Sequence, residues 1–221
     1  MPRTRIKICG VRDAVIARAA ADAGADGVGL MFVSRSPRCV TVENSRAVLE
    51  ALPPFVEPVA VFMDADPATI RTTVEFLGIR TVQLHGAETP DMARELAPLR
   101  IIKAFPCDAN LAAALNAWRE VANLAGCLID APALEQGDLP GGGGRTFDWS
   151  VLTATFKAGV ATDHPPLILA GGLTVENVAG AVRAVHPYAV DVSSGVESSR
   201  GVKDPQRIRA FCEAVRNADT P

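Results

Sequence analysis

The stretch RIKICGVRDAVIARAAADAGADGVGLMF, residues 5–32, decides the fold. Residues 5–9 form a short apolar segment that reads as a strand, and Gly10 closes it. Residues 13–23 are rich in alanine, apolar at helical spacing, and stopped by Gly24. Residues 27–32 read as a second strand. The same alternation runs on through the chain. Further strands are expected at 57–62, 80–84, 100–104, 127–130, 167–170 and 189–193. Helices are expected at 43–52, ended by Pro53-Pro54, at 67–77 and at 89–97 with Thr89 as N-cap. Four more follow, at 109–121, 148–155, 174–185 and 205–215. Most strands lack apolar/polar alternation, as a parallel sheet covered on both faces requires. Eight strand-helix units predict a single (β/α)8 TIM barrel with a parallel eight-stranded core, one domain over residues 1–221. An open doubly wound sheet is the alternative. The Gly-rich segment 131–146 reads as a loop after the sixth strand, because alternation resumes behind it.

Bulk composition narrows the function. Apolar residues make up 48% and charged residues 21%, an ordinary globular balance. The net charge is -3 and aromatics are only 5%, with no basic stripe, which speaks against nucleic-acid binding. The apolar runs are strand-sized, well short of the ~20 residues of a membrane span. No signal peptide is visible at the start. The cysteines at 9, 39, 107, 127 and 212 are odd in number and lack metal-site spacing, so no metal, no disulfide framework and a cytoplasmic setting are expected. Monomer is the default, since no exposed apolar stripe stands out.

In such a barrel the chemistry sits at the carboxyl ends of the strands. The first strand ends in Cys9, a candidate general base, although packing is the commoner fate of a free cysteine. Cys39, Cys107, Cys127 and Cys212 read as packing residues. The loop after strand two carries Arg38, whose planar fork suits a carboxylate, with a solvated cation as the bland alternative. Gln83 and His85 stand at the end of strand four and could line a pocket, His85 equally serving structure. His164 and His186 carry no site signal. Asp130 ends strand six, as an N-cap or turn acid or as a proton donor among apolar neighbours. Gly171-Gly172 and Ser194-Gly195 follow strands seven and eight. Exposed backbone N–H groups there, with a helix N-terminus behind them, predict a phosphate cradle without lysine. The run Gly141 to Gly144 is no P-loop, since no Gly-Lys-Ser/Thr follows.

Several motifs occur in a fixed order: Lys7-Ile8-Cys9-Gly10, Ser36-Pro37-Arg38, Gln83-Leu84-His85-Gly86, Asp130, Arg145-Thr146-Phe147-Asp148-Trp149, Leu169-Ala170-Gly171-Gly172-Leu173, Val190 to Glu197, and Gly201-Val202-Lys203-Asp204. Together they resemble the phosphoribosylanthranilate isomerases of tryptophan biosynthesis, almost from end to end. The resemblance implies an Amadori rearrangement of N-(5-phosphoribosyl)anthranilate to 1-(2-carboxyphenylamino)-1-deoxyribulose 5-phosphate, with no cofactor. It implies Cys9 as general base, Asp130 as general acid and Arg38 on the anthranilate carboxylate. Gln83 and His85 would line the site. Gly171, Gly172, Ser193, Ser194 and Gly195 would fall in or beside the phosphate turns, and Asp191 beside the ribose. The roles call for a Cys9 pKa lowered from ~8.5 and an Asp130 pKa raised from ~3.9. Gly143 stands where the family often has Thr or Ser, and residues 131–139 follow no strong family pattern. Two other functions compete. An aminoaldose isomerase of histidine biosynthesis would use two aspartates, which Cys9 argues against. A catalytically silent phosphate-binding barrel is disfavoured by intact Cys9, Asp130 and Arg38.

Overall fold

The computed structural model describes residues 3–132, 149, 152 and 165–219. Its strands β1 (Arg5–Cys9), β2 (Gly27–Met31), β3 (Glu57–Phe62), β4 (Thr81–Leu84), β5 (Arg100–Pro106), β6 (Leu124–Asp130), β7 (Leu167–Leu169) and β8 (Ala189–Val192) form a closed parallel barrel in sequence order. Closure is made by β1, which pairs with β2 through Cys9 and Gly29 and with β8 through Lys7 and Asp191. The doubly wound alternative is thereby removed. Around the barrel lie α1 (Ala14–Asp22), α2 (Val42–Ala51), α3 (Pro67–Leu77), α4 (Pro90–Glu95), α5 (Leu111–Trp118), α6 (Val178–Val185) and α7 (Pro205–Asp219). No helix among the described residues is long and apolar enough to cross a membrane.

Local chemistry sets the helix starts. Asp13, Thr41, Asp66 and Thr89 each accept a hydrogen bond from the backbone N–H three residues on, satisfying a donor the helix leaves open. Period-two alternation then gives every strand an outer and an inner face. Ile6 and Ile8 of β1, Val28 and Leu30 of β2, and Val82 and Leu84 of β4 pack outward into the large core beneath the helices. Val59, Ile102, Ala104, Leu128, Ile168, Ala170 and Ala189 form a second, separate cluster. These seven alternate with the outward residues of β3 and β5 to β8, so they fill the barrel's interior, up to Ala170 at the pocket itself.

Three departures from the sequence reading have physical causes. Strand β6 begins at Leu124, not 127, because β5 offers partners from Ile101 onward and a register shift there admits the extra residues. Helix α6 begins at Val178, not 174. The Asn177 side chain accepts from Thr174 N at 2.8 Å and donates to Gly172 O at 2.9 Å, holding a turn where the helix was expected. After β8 the chain makes one 3-10 turn, Ser194–Val196, and then an unforeseen antiparallel hairpin of β9 (Glu197–Ser199) and β10 (Val202–Lys203). Of the helix expected at 148–155, only Trp149 and Leu152 are described, and both are helical. Gly141 to Gly144, His164 and nearly all of the loop expected at 131–146 lie outside the described residues.

Candidate active site

The carboxyl ends of the strands surround one pocket, lined by side chains that arrive from sequence-distant positions. Cys9, Arg38, Gln83, His85, Asp130, Gly171, Gly172, Asp191, Ser193 and Ser194 all line it. Gly195 lies just beyond, in an adjoining cleft with Thr174 and Arg207.

Cys9 is the last residue of β1 and is 3% exposed. Burial pushes its thiol above the ordinary value; Lys7 and Lys203 act the other way, Asp191 adds to the rise, and burial prevails. That direction is opposite to the lowering that the base role calls for. Two residues before Cys9, Lys7 enters from the same side of β1 and donates to Asp191 Oδ1 at 2.7 Å, both side chains being buried. Burial works against the Lys7 charge, but Asp191 and Cys9 outweigh it and raise its pKa.

Arg38 is as buried as Cys9's other neighbours, at 6% exposure, and no solvated cation. Its Nε and Nη2 donate to the two carboxylate oxygens of Glu197 at 2.6 and 2.9 Å. Glu197 also accepts from Lys203 Nζ at 2.8 Å and Gly201 N at 2.9 Å. Burial opposes the Glu197 charge, yet these donors hold its carboxyl down at about 2. Lys203 reaches on to Ser193, donating to its carbonyl at 3.0 Å and meeting its hydroxyl at 3.3 Å. The Ser193 hydroxyl donates to Cys9 O at 3.2 Å. The hairpin thus ties the β2–α2 loop to the end of β1.

Across the pocket, His85 Nε2 stands 3.2 Å from Asp130 Oδ2, and Ala131 N donates to Asp130 Oδ1 at 2.7 Å. Gln83 Nε2 stands 2.8 Å from His85 Nδ1. With the amide so placed, Nδ1 accepts and the His85 proton sits on Nε2, facing Asp130. Gln83 Oε1 is then a buried acceptor without a partner among the described residues. His85 thus lines the pocket and links the end of β4 to the end of β6.

Polarity divides the pocket. Met31, Val33, Val61 and Met63 make an apolar wall on the β2–β3 side, next to Arg38. On the β7–β8 side Gly171 and Gly172 both take positive φ, at 84° and 62°, a region that favours glycine. A Cβ on Gly195 would fall 1.9 Å from Leu173 O, so the two loops meet there only because that residue is glycine. The backbone N–H groups of Gly172, Ser194 and Gly195 have no acceptor among the described residues. They come from turns; the helix N-terminus expected directly behind Gly172 is displaced to Val178. Among the described residues no cluster of three or more His, Cys, Asp and Glu could hold a metal ion.

The sequence model of the N-(5'-phosphoribosyl)anthranilate (PRA) isomerase family matches residues 6–214. This chain belongs to that family. It is 45% identical over 216 residues to the N-(5'-phosphoribosyl)anthranilate isomerase of Moorella thermoacetica, covering 97% of this chain and 91% of that one. The phosphoribosyl anthranilate isomerase of Thermotoga maritima superposes with a TM-score of 0.84 at 36% identity, covering 97% of this chain and 99% of that one. A phosphoribosyl anthranilate isomerase solved with reduced 1-(o-carboxyphenylamino)-1-deoxyribulose 5-phosphate superposes with a TM-score of 0.82 at 34% identity, with the same coverage. As a phosphoribosylanthranilate isomerase, the protein catalyses the Amadori rearrangement in tryptophan biosynthesis, and the histidine-pathway alternative is not favoured. Its substrate is a small phosphorylated molecule.

Sequence reasoning gave no role to Lys7, Glu197 or Lys203, although each lies in a quoted motif. For Lys7 the signal was available. A cation two residues before Cys9 in the same strand must share that residue's side of the sheet.

Proposed function

We propose that Cys9 is the general base and Asp130 the general acid of this rearrangement. One observation carries the reading: the two side chains enter a single pocket from strands three positions apart around the closed barrel, between an apolar wall with an arginine and a rim of unengaged N–H groups. The wall of Met31, Val33, Val61 and Met63 suits the anthranilate ring, and Arg38, pinned by Glu197, suits its carboxylate. The N–H groups of Gly172, Ser194 and Gly195, together with Gly171, suit the phosphate. The partnerless Gln83 Oε1 is an acceptor for a substrate hydroxyl, and His85 orients Asp130. Asp191 and Ser193 close the ribose side.

Asp130 protonates the ribose ring oxygen and the ring opens to an iminium. Cys9, as thiolate, removes the proton from the adjacent sugar carbon. The resulting enolamine tautomerises to the ketone. The iminium accepts the electron pair, which makes a cofactor unnecessary. We further propose that the chain acts as one barrel domain, monomeric and cytoplasmic, binding neither nucleic acid nor membrane. The odd number of cysteines, without metal-site spacing, supports the compartment, and light scattering at the mass of one chain would support the monomer.

The test is the fall in anthranilate-type fluorescence when the protein meets freshly generated phosphoribosylanthranilate. Cys9→Ala is expected to lower turnover by roughly 10²–10⁴, the range for loss of a general base. Asp130→Asn is expected to lose kcat with an unchanged circular dichroism spectrum. Near-native turnover in either folded variant would remove that residue from its role.

A further inference from the structure

The base has an electrostatic partner that the family resemblance did not supply. Lys7 and Asp191 are register partners on adjacent strands, and Cys9 and Gly29 are register partners on the other side of β1. A Cβ at Gly29 would lie 2.8 Å from Cys9 Sγ and 3.3 Å from Lys7 Nζ. The thiol and the ammonium therefore border the same small space, which stays open only because residue 29 has no side chain. Lys7 Nζ has three protons, one of which it gives to Asp191 Oδ1.

Asp191 on β8 and Lys203 on β10 also face Cys9, and Lys203 is tied in turn to the Arg38–Glu197 pair from the β2–α2 loop and β9. Asp130 on β6 and His85 after β4 share the pocket. Arg38 is matched by Glu197, and Lys203 is engaged by Glu197 and by Ser193. Lys7 is likewise paired, with Asp191, but of these three cations it is the one whose side chain also hydrogen-bonds Cys9.

We propose that Lys7 is the positioning residue for the base: its ammonium, anchored by Asp191, is the counter-charge that meets the Cys9 thiolate. The inference rests on Cys9 being the base. The thiol gives its proton to water in the pocket and becomes a thiolate beside the ammonium. Removing the carbon-bound proton of the substrate restores the thiol. Lys7 keeps its proton throughout, so it acts only through its charge. Asp191 has two opposed effects. It anchors Lys7, and its own charge disfavours a second anion beside it, in line with the direction of its effect on the thiol.

The charge of Lys7 makes the test. Alkylation of Cys9 by iodoacetamide is followed against pH, read at the Cys9 peptide by mass spectrometry. Lys7→Met is expected to move the midpoint upward by about a unit or more, a tenfold slower reaction below the midpoint. Lys7→Arg, which keeps the charge, is expected to stay nearer the native midpoint. A purely structural lysine would leave the midpoint unmoved in Lys7→Met. Coincident midpoints in native protein and folded Lys7→Met would overturn the proposal. If Lys7→Met fails to fold, Lys7→Gln takes its place. Alkylation reads ionisation and not turnover, so failure here is separate from failure of Cys9 as base, which the fluorescence assay measures.

Discussion

At the scale of single residues, Gly29 shows how an absent side chain can serve a site. With Cys9 Cα 3.1 Å and Sγ 2.8 Å from where a Cβ would stand, Gly29→Ala must displace the end of β1, not merely rotate a flexible tip. Overpacking of this kind costs about 1–3 kcal/mol. The expected outcome is a folded protein, modestly less stable in urea, whose turnover falls more than its stability suggests because Cys9, the proposed base, is moved. Native turnover in Gly29→Ala would mean that the thiol does not use this space. The catalytic candidates themselves were legible at this scale, because Cys9, Asp130, Arg38 and the paired glycines all stand where strands end. What was illegible was the state of the thiol, since burial and three neighbouring charges from β1, β8 and β10 decide it and only the fold brings them together.

The hairpin β9–β10 is the element with no counterpart in the sequence reading. It is two short strands, Glu197–Ser199 and Val202–Lys203, too short for a periodicity to reveal. Its contribution is Glu197, which Arg38, Lys203 and Gly201 all address. Glu197→Gln leaves two buried cations short of their partner, a change expected to cost about 3 kcal/mol at neutral pH. It also frees the Arg38 fork, so KM is expected to rise. The pH dependence has a definite sign. The Glu197 carboxyl is depressed from 4.5 to about 2 in the folded protein, so its contribution is present above pH 4.5 and is lost as pH falls towards 2. The stability gap between native and Glu197→Gln proteins is therefore expected to narrow through that window in urea titrations. A gap that stays constant from pH 7 to pH 2.5 would show that the carboxylate's charge does not stabilise the hairpin. The same scale explains the late start of α6. Asn177 satisfies backbone groups at Thr174 and Gly172 locally, and propensity alone gives no warning of it.

For the whole molecule, closure of the barrel places scaffold and site on alternate residues of the same strands. The order of strands was readable from the strand-helix rhythm, because eight buried parallel strands of this length have few other ways to cover both faces. Which residue of each pair faces the pocket follows from period two once one residue is fixed, and Cys9 fixes β1. Ile8 then points outward, fully buried beneath the helices, while its neighbour Cys9 points in. Ile8→Ala is expected to cost about 2–5 kcal/mol through the lost burial and the cavity left behind. For a chain of this length each kcal/mol corresponds to roughly 2–4 °C of Tm, so calorimetry is expected to show a drop on the order of 5–15 °C. At 25 °C, where the remaining molecules are still folded, kcat is expected to stay within about twofold of native, because no atom of Ile8 reaches the pocket. A variant with native Tm and collapsed kcat would place Ile8 on the inner face, and the register of β1 with both of its neighbours would be wrong by one residue, carrying Lys7 and Cys9 out of the barrel together.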